Sequence, residues 1–134
     1  MSGWAIQQAI FSTLSSDDAL IALCDTISDF GPRQDDASGI YPYIAFGDLI
    51  LSEDDTDTTR GFDMSLRIHT YSDAGGTKQC RQIQDAMYDL LHLSNLIVTG
   101  YNTVIIYRED SQILQTSRGA FHGIDEYRCL LEKT

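Results

Sequence analysis

The sequence predicts an α+β domain in which a mostly antiparallel sheet of about four strands is covered by helices on one face. Two observations predict this class. Apolar residues recur at helical spacing in some segments and alternate with polar residues in others. The predicted elements follow the order two helices, two strands, one helix and two strands, without the regular strand–helix alternation of a parallel sheet.

Two helices are predicted at the start of the chain. In residues 4–14 the apolar side chains fall on one helical face, which should pack against a core. Ser16 precedes two aspartates, a pattern typical of an N-cap with acids in the first turn, where carboxylates favour the positive end of the helix dipole. This pattern predicts a short second helix ending at Cys24. The face of the first helix consists of Ile6, Ala9, Ile10 and Leu14.

Two strands joined by a long acidic hairpin loop are predicted next. Residues 43–51 are dense in aromatic and β-branched side chains, and residues 62–71 alternate between apolar and polar. Between them, residues 52–61 hold four acids and no apolar side chain. We take the charged residues of this loop as the candidate interaction site, because polar loops and exposed sheet edges are common docking devices. They are Glu53, Asp54, Asp55, Asp57 and Arg60.

A third helix and two further strands complete the predicted fold. Thr77 is the expected N-cap of the main helix, which should end near His92, where a cation would favour the negative end of the dipole. Gly100 precedes a strand over residues 101–109, and a turn-rich connection that includes residues 117–119 leads to the last strand. The core stripe of the helix is Cys80, Ile83, Met87, Leu90 and Leu91. The shared face of the last strand, over residues 120–133, is Phe121, Tyr127, Cys129 and Leu131.

Length and composition indicate one globular domain. The chain has 134 residues, near the commonest domain size, so we expect residues 1–134 to form one domain around one core. Hydrophobic residues make up 43% and charged residues 22%, far from the composition of disordered chains.

The charge argues against sequence-specific binding of nucleic acid. Twenty acidic and nine basic residues give a formal net charge of -11, which repels a phosphate backbone and provides few cations for counterion release. Two interpretations of this acidity remain. It keeps the protein soluble, or it lines a channel through which DNA passes without sticking.

The cysteines and the amino-terminal segment suggest an aqueous, reducing compartment. Cys24, Cys80 and Cys129 cannot all pair, and their wide spacing matches no metal-binding pattern, so we expect reduced, buried thiols. The first residues lack the basic region of a signal peptide, and no apolar run approaches the roughly 20 residues that span a bilayer. We therefore expect a protein made and kept in an aqueous, cytoplasmic compartment, with no membrane partner.

No metal site or cofactor is predicted. Read as an EF-hand loop from Asp55, the acidic segment has Arg60 where glycine is required and Leu66 where the bidentate glutamate is required. Residues 75–78 lack the upstream glycine of a phosphate-binding loop. The three histidines, His69, His92 and His122, are scattered without the spacing of zinc ligands and are predicted to be isolated.

No catalytic centre is predicted either. Two pairs of adjacent acids, Glu109 with Asp110 and Asp125 with Glu126, lie in predicted strands, where neighbouring side chains point to opposite faces. Such pairs do not form an acid–base couple. An interaction protein is therefore favoured over an enzyme.

The ordered set of segments resembles a known family. WAIQQAIFSTLSSDDALIALC, TISDFGP, YPYIAFGD, RIHTYSDAGGTKQCRQIQDAMYDLL and FHGIDEYRCLLE follow one another over nearly the whole chain. In this order they resemble the tail-completion or tail-terminator family of tailed phages, which includes members from gene transfer agents. The resemblance implies structural roles for Tyr41, Pro42, Tyr43, Gly47, Tyr71 and Gly75, and it supplies no catalytic residue.

The same resemblance implies a function and a set of partners. A member of this family is expected to form a homo-oligomer, a hexameric ring, at the head-proximal end of the virion tail. The ring ends polymerisation of the tail tube protein and offers the joining surface to a head–tail connector or stopper protein. DNA would pass through it.

Two other functions are open on the sequence alone. Another head–tail connector or tail component of similar size would share this composition and differ in its partners. A small ligand-binding domain or enzyme would use His69 or His122 with nearby acids.

Overall fold

The structure is a computed structural model that describes residues 2–24, 27–28, 42–53, 55, 57–73, 76–115 and 120–134. Within these ranges lie three helices and five strands. The helices are α1 (Ser2–Ser15), α2 (Asp18–Leu23) and α3 (Lys78–Leu91). The strands are β1 (Ile27–Ser28), β2 (Tyr43–Glu53), β3 (Gly61–Ser72), β4 (Tyr101–Gln115) and β5 (Phe121–Lys133). Tyr41, Asp54, Gly75 and residues 117–119, to which the sequence assigned roles, lie outside the described residues.

The strands form one sheet in the order β1-β2-β3-β5-β4. The four long strands pair antiparallel with their neighbours, as the sequence predicts. Strand β1 pairs in parallel with β2, through Ile27 opposite Ile44. The sequence did not predict β1, because two residues are too few for any periodicity to show.

The helices and one face of the sheet enclose the core. We call this the inner face of the sheet and its reverse the outer face. In β3 the residues Met64, Leu66 and Ile68 are buried on the inner face, as their alternation predicts. Helix α3 covers them with Ile83 and Met87, and α1 contributes a further apolar stripe. That stripe consists of Ile6, Ile10 and Leu14. The three thiols of Cys24, Cys80 and Cys129 are buried and form no disulfide, as predicted.

The caps of the helices differ from the prediction. Asp17 rather than Ser16 is the N-cap of α2, and its carboxylate accepts a hydrogen bond from the Leu20 amide at 2.9 Å. The Ser16 hydroxyl donates instead to the Ser12 carbonyl at 2.6 Å, within the last turn of α1. Thr77 occupies the N-cap position of α3, but its side chain makes no capping hydrogen bond. A serine or threonine side chain can donate a hydrogen bond to a carbonyl of the preceding turn, or make no capping hydrogen bond at all. Residue type alone therefore does not show whether it caps a helix.

The chain between α3 and β4 runs along the edge of β4. Leu93 turns the chain with a left-handed φ of 55°, and its amide donates to the Ile106 carbonyl at 2.7 Å. Further along, the Thr103 hydroxyl donates to the Leu96 carbonyl at 2.8 Å. Residues 93–98 therefore lie beside the first half of β4. Strand β4 itself extends to Gln115, six residues beyond the predicted end, where it pairs with the start of β5.

Within the described residues, no helix has both the length and the apolar character needed to cross a membrane.

Candidate interaction surfaces

The acidic hairpin loop between β2 and β3 is exposed and locally ordered by backbone contacts. Glu53, the last residue of β2, pairs with Phe62, so the loop is shorter than the sequence predicted. Asp55 is exposed, but its Oδ1 atom accepts a hydrogen bond from the Gly61 amide at 3.1 Å. This carboxylate therefore has a structural role in closing the turn.

The other charged residues of the loop face solvent. Asp57 and Arg60 are exposed, and the Arg60 carbonyl accepts a hydrogen bond from the Lys133 amide at 2.9 Å. That bond ties the loop to the end of β5. The fifth candidate, Asp54, lies outside the described residues. The loop is therefore an acidic projection with a fixed base, and its function as an interaction site stays a prediction.

Two histidines that the sequence treated as isolated are in contact on the outer face. His69 of β3 and His122 of β5 are diagonal neighbours in the register, and Nδ1 of His69 lies 2.7 Å from Nε2 of His122. This N···N distance fits an N–H···N hydrogen bond, in which one imidazole is the donor and the other the acceptor. Each ring can supply this bond while neutral, whereas two imidazolium cations would repel.

Partial burial keeps this histidine pair neutral. Loss of hydration and, less strongly, the neighbouring His69 together lower the pKa of His122 to about 4. Burial also lowers the pKa of His69, while Asp48 opposes this effect and Arg67 adds to it. At neutral pH both rings are therefore uncharged, and the pair shares one hydrogen-bonding proton.

Aromatic rings extend the histidine pair into a row across three strands. Tyr71 stacks on His122 with ring centroids 4.3 Å apart, and Tyr43 stacks on Tyr71 at 4.6 Å. On the other side, Gly47 leaves room for His69: a Cβ at this position would lie 2.3 Å from His69 Nε2. The row is thus a packed feature of the outer face.

The histidine geometry suits proton sharing better than metal chelation. The ring centroids are 4.9 Å apart while the facing nitrogens are 2.7 Å apart, so the rings lie roughly end to end. A metal ion needs lone pairs that converge on one point, and these point at each other. Among the described residues, no three histidine, cysteine or acidic side chains gather as a metal-binding group.

A carboxylate is buried on the inner face without a hydrogen bond. Asp125 of β5 is 0% exposed, and neither of its oxygens has a hydrogen-bond partner among the described residues. Burial raises the pKa of Asp125 to about 6, and the nearby Ser111 and Arg108 offset this only in part. Its chain neighbour Glu126 points to the outer face and accepts a hydrogen bond from Ser65 at 2.6 Å. The predicted opposite orientation of these two acids is correct.

The third histidine, at the end of α3, contacts the backbone of β4. Nδ1 of His92 accepts a hydrogen bond from the Arg108 amide at 3.0 Å. The His92 ring stacks on Tyr88 with ring centroids 4.3 Å apart. The Arg108 guanidinium lies over the same Tyr88 ring, 4.3 Å from its centre. His92 therefore fixes the start of the segment that follows α3.

Ion pairs cross the outer face beyond the histidines. Arg128 of β5 forms a salt bridge with Asp63 of β3 and lies 3.6 Å from Glu109 of β4. The hydrogen bond that Arg128 donates to the Asp63 carboxylate raises the pKa of Arg128. These partly exposed pairs fix side chains across three strands and contribute little to stability.

Sequence reasoning missed the histidine pair and the buried aspartate for the same reason. Alternation correctly places His69 and His122 on the outer face and Asp125 on the inner face. The alternation does not show that β5 lies beside β3 in the sheet. Contact between side chains on different strands depends on this strand order. A register hypothesis that paired the two strands would have brought the histidines together.

Comparison with protein families gives one match over most of the chain. The family described as tail completion protein gp17 matches residues 8–132. No curated protein sequence matches.

Two solved structures share the fold. A chain in the virion of a native gene transfer agent particle superimposes with a TM-score of 0.85 at 20% sequence identity, covering 98% of this chain and 97% of that one. The gp17 protein of bacteriophage SPP1 superimposes with a TM-score of 0.62 at 20% identity, covering 95% of this chain and 88% of that one. At this identity the likeness extends to the fold alone.

Proposed function

Because this chain belongs to the tail completion protein gp17 family, we propose that it caps the head-proximal end of a tail tube, ends tube polymerisation and provides the surface that joins the head. It is a structural protein of a virion tail and not an enzyme. The observation that carries the proposal is the family match over residues 8–132, which includes α3 and the long strands except for the last residue of β5.

The proposed form of the protein on the tube is a hexameric ring. Its partners would be the tail tube protein on one side and a head–tail connector or stopper protein on the other, with DNA passing through the centre. The negative net charge suits this last role, because an acidic wall does not retain a phosphate backbone. A chain of the same fold occurs in the virion of a native gene transfer agent particle, which supports a place in a particle for this chain.

A particle that lacks the chain tests this function. Without a cap, tail tubes should grow beyond their normal length and remain separate from filled heads, both visible by negative-stain electron microscopy. Supplying the chain in trans should restore joined particles of normal length. Normal tail length with unjoined heads would instead indicate another head–tail connector, and normal particles would contradict both functions.

The acidic loop between β2 and β3 is proposed to contact a neighbouring subunit, the tube or the DNA channel. Support comes from the exposure of Glu53, Asp55 and Asp57 on a projection held at its base by Gly61 and Lys133. The informative variant deletes residues 54–58. The matched control is Asp55→Asn with Asp57→Asn, which keeps the loop length and the acceptor for the Gly61 amide.

Loss of joined particles with the deletion but not with the control would assign the role to the shape of the loop. Loss with both variants would assign it to the charge. Normal ring formation and normal joining with the deletion would remove the loop from the list of interaction sites.

A further inference from the structure

Two stretches of the chain carry no formal charge. Residues 2–16 and 90–107 contain no aspartate, glutamate, lysine or arginine, although the chain holds 20 acidic and nine basic residues. The first range forms α1, and the second runs from the end of α3 into the first half of β4. The two ranges meet along a groove, so they form one continuous surface, which we call the uncharged face.

The groove of the uncharged face is lined by small residues on the helix side. It has a volume of about 640 Å³, and none of the described residues that line it is charged. Ala5, Ala9 and Ser12 lie on one flank of α1, while Leu96 and Ile97 form the opposite wall. The Ile97 side chain is 85% exposed, which is unusual for an isoleucine in a folded domain.

The other flank of α1 carries large aromatic residues. Trp4 and Phe11 are two helical turns apart, so they project from the same side of the helix. They are 51% and 42% exposed, and they border a second, smaller groove that is also lined by Phe46. Gln8 and Ser12 line both grooves, so the aromatic side chains and the small residues lie next to each other on the exposed side of α1.

We infer that the uncharged face is the contact between neighbouring copies of this chain, with Trp4 and Phe11 of one copy inserted into the Ile97 groove of the next. The inference rests on the ring of the proposed function and identifies its subunit interface. Large side chains on one flank and a groove bounded by small residues on the other are complementary in shape. A contact between two different surfaces runs head to tail and closes into a ring when its rotation allows.

Charge favours a second copy of this chain as the occupant. Two copies with a net charge of -11 repel each other, and this repulsion is weakest where they meet through a surface without acids. Interface cores are generally depleted of charged residues and enriched in aromatic ones. Tryptophan and phenylalanine bury about 150–250 Å² each, so two such residues from each copy would form a substantial part of a contact.

Cysteine cross-linking in assembled particles tests the predicted pair of positions. The native thiols Cys24, Cys80 and Cys129 are buried and leave the background low. The double variant Phe11→Cys with Ile97→Cys, treated with a short thiol cross-linker, should give a ladder of multimers on a denaturing gel, because each copy links to the next. Each single variant alone should give none.

A matched control separates this contact from random proximity. Leu114 is 48% exposed, similar to Phe11, and lies in β4 outside the uncharged face. The double variant Phe11→Cys with Leu114→Cys should give no ladder. Dimers formed by either single variant, or a ladder as strong in the control, would overturn the head-to-tail contact.

A second measurement keeps the inference testable if a cysteine variant does not assemble. Ile97→Glu places a carboxylate in the proposed interface, so incorporation into particles should fall at least tenfold relative to Leu114→Glu. Equal incorporation of the two variants overturns the inference. Particles that carry a capped tail but show no ladder would contradict this interface while leaving the capping function intact, whereas uncapped tails with the wild-type chain present would contradict the function itself.

Discussion

Asp125 shows how a single buried group makes the stability of this fold depend on pH. Its carboxyl group lies between Ile68 of β3 and Ser111 of β4 in the register, without a hydrogen-bond partner among the described residues. In the unfolded chain its pKa is near 3.8, and in the fold burial raises the pKa to about 6. The folded state therefore resists ionisation of this group, and it loses stability as the pH rises from about 4 through 6.

Replacing this carboxyl group should stabilise the protein at high pH. Asp125→Asn has no charge to bury, so its free energy of unfolding should exceed that of the wild type at pH 8 by about 1–3 kcal/mol. The difference should be less than about 1 kcal/mol at pH 4, where the aspartate is protonated in the fold. Urea denaturation of both proteins at the two pH values gives the comparison. A variant that is less stable than the wild type at pH 8 would show that the ionised carboxylate has a stabilising partner.

The histidine pair should act in the opposite direction. Burial lowers the pKa of His122 to about 4, below the 6.5 of the unfolded chain, so between these values protons bind the unfolded state preferentially. This group therefore removes stability as the pH falls from 6.5 towards 4. His122→Phe keeps a ring to stack on Tyr71 but cannot bind a proton.

Comparison of the two proteins at pH 5 and pH 7 tests this direction. Relative to the wild type, His122→Phe should lose about 1 kcal/mol less unfolding free energy on going from pH 7 to pH 5, an amount already reduced for solvent screening of this half-buried ring. Equal losses in both proteins would mean that His122 titrates alike in the folded and unfolded chains.

At the scale of elements, Gly47 determines whether β2 can lie beside the histidine ring of β3. A Cβ on this residue would meet His69 Nε2 at 2.3 Å and the Arg67 carbonyl oxygen at 3.2 Å, so Gly47→Ala must displace the ring and disturb its bond to His122. Overpacking of this kind costs about 1–3 kcal/mol of unfolding free energy. Thermal or urea denaturation measures the loss.

Two controls separate the steric effect from the general effect of replacing glycine. Gly76→Ala meets nothing within 4 Å, so it should change stability little. In the double variant Gly47→Ala with His69→Ala, the obstructing ring is gone, so the alanine at position 47 should cost less than it does in the wild-type background. An equal cost in both backgrounds would show that His69 is not the obstacle.

Most helices and strands are predictable from the sequence. The ends of the strands are not, because they depend on contacts that local patterns do not contain. The alternation of β3 and the apolar stripe of α3 identified both elements, because one face of each is buried against the core. Strand β4 was predicted to end at Glu109, since Asp110, Ser111 and Gln112 have low strand propensity. Pairing with β5 carries the strand to Gln115, and that pairing is a tertiary contact that no local pattern contains.

At the scale of the whole molecule, charge and apolar surface are separated. Glu53 ends β2, and Asp55 and Asp57 follow it before β3 begins, whereas α1 and residues 90–107 carry no formal charge. The proposed ring subunit, which would contact its own copies and leave DNA free, requires both kinds of surface. The charge-free ranges can be read along the chain, but their meeting at one groove depends on the fold.

The sequence predicts the acidic loop between β2 and β3 as an exposed segment. Its function as an interaction site stays a prediction. The acids of the loop are close together in the sequence. The fold adds that the Asp55 carboxylate closes the turn by accepting a hydrogen bond from the Gly61 amide. What a projection contacts is a property of the assembly, so neither the sequence nor a single subunit contains it. The same holds for the number of copies in the proposed ring.

Polymerisation of purified tail tube protein with and without this chain tests the capping function most directly. We predict that tubes formed with the chain are shorter, with a narrow length distribution in electron micrographs, and carry six copies of the chain at one end. Tubes of equal length in both reactions, without the chain at either end, would contradict the proposed function.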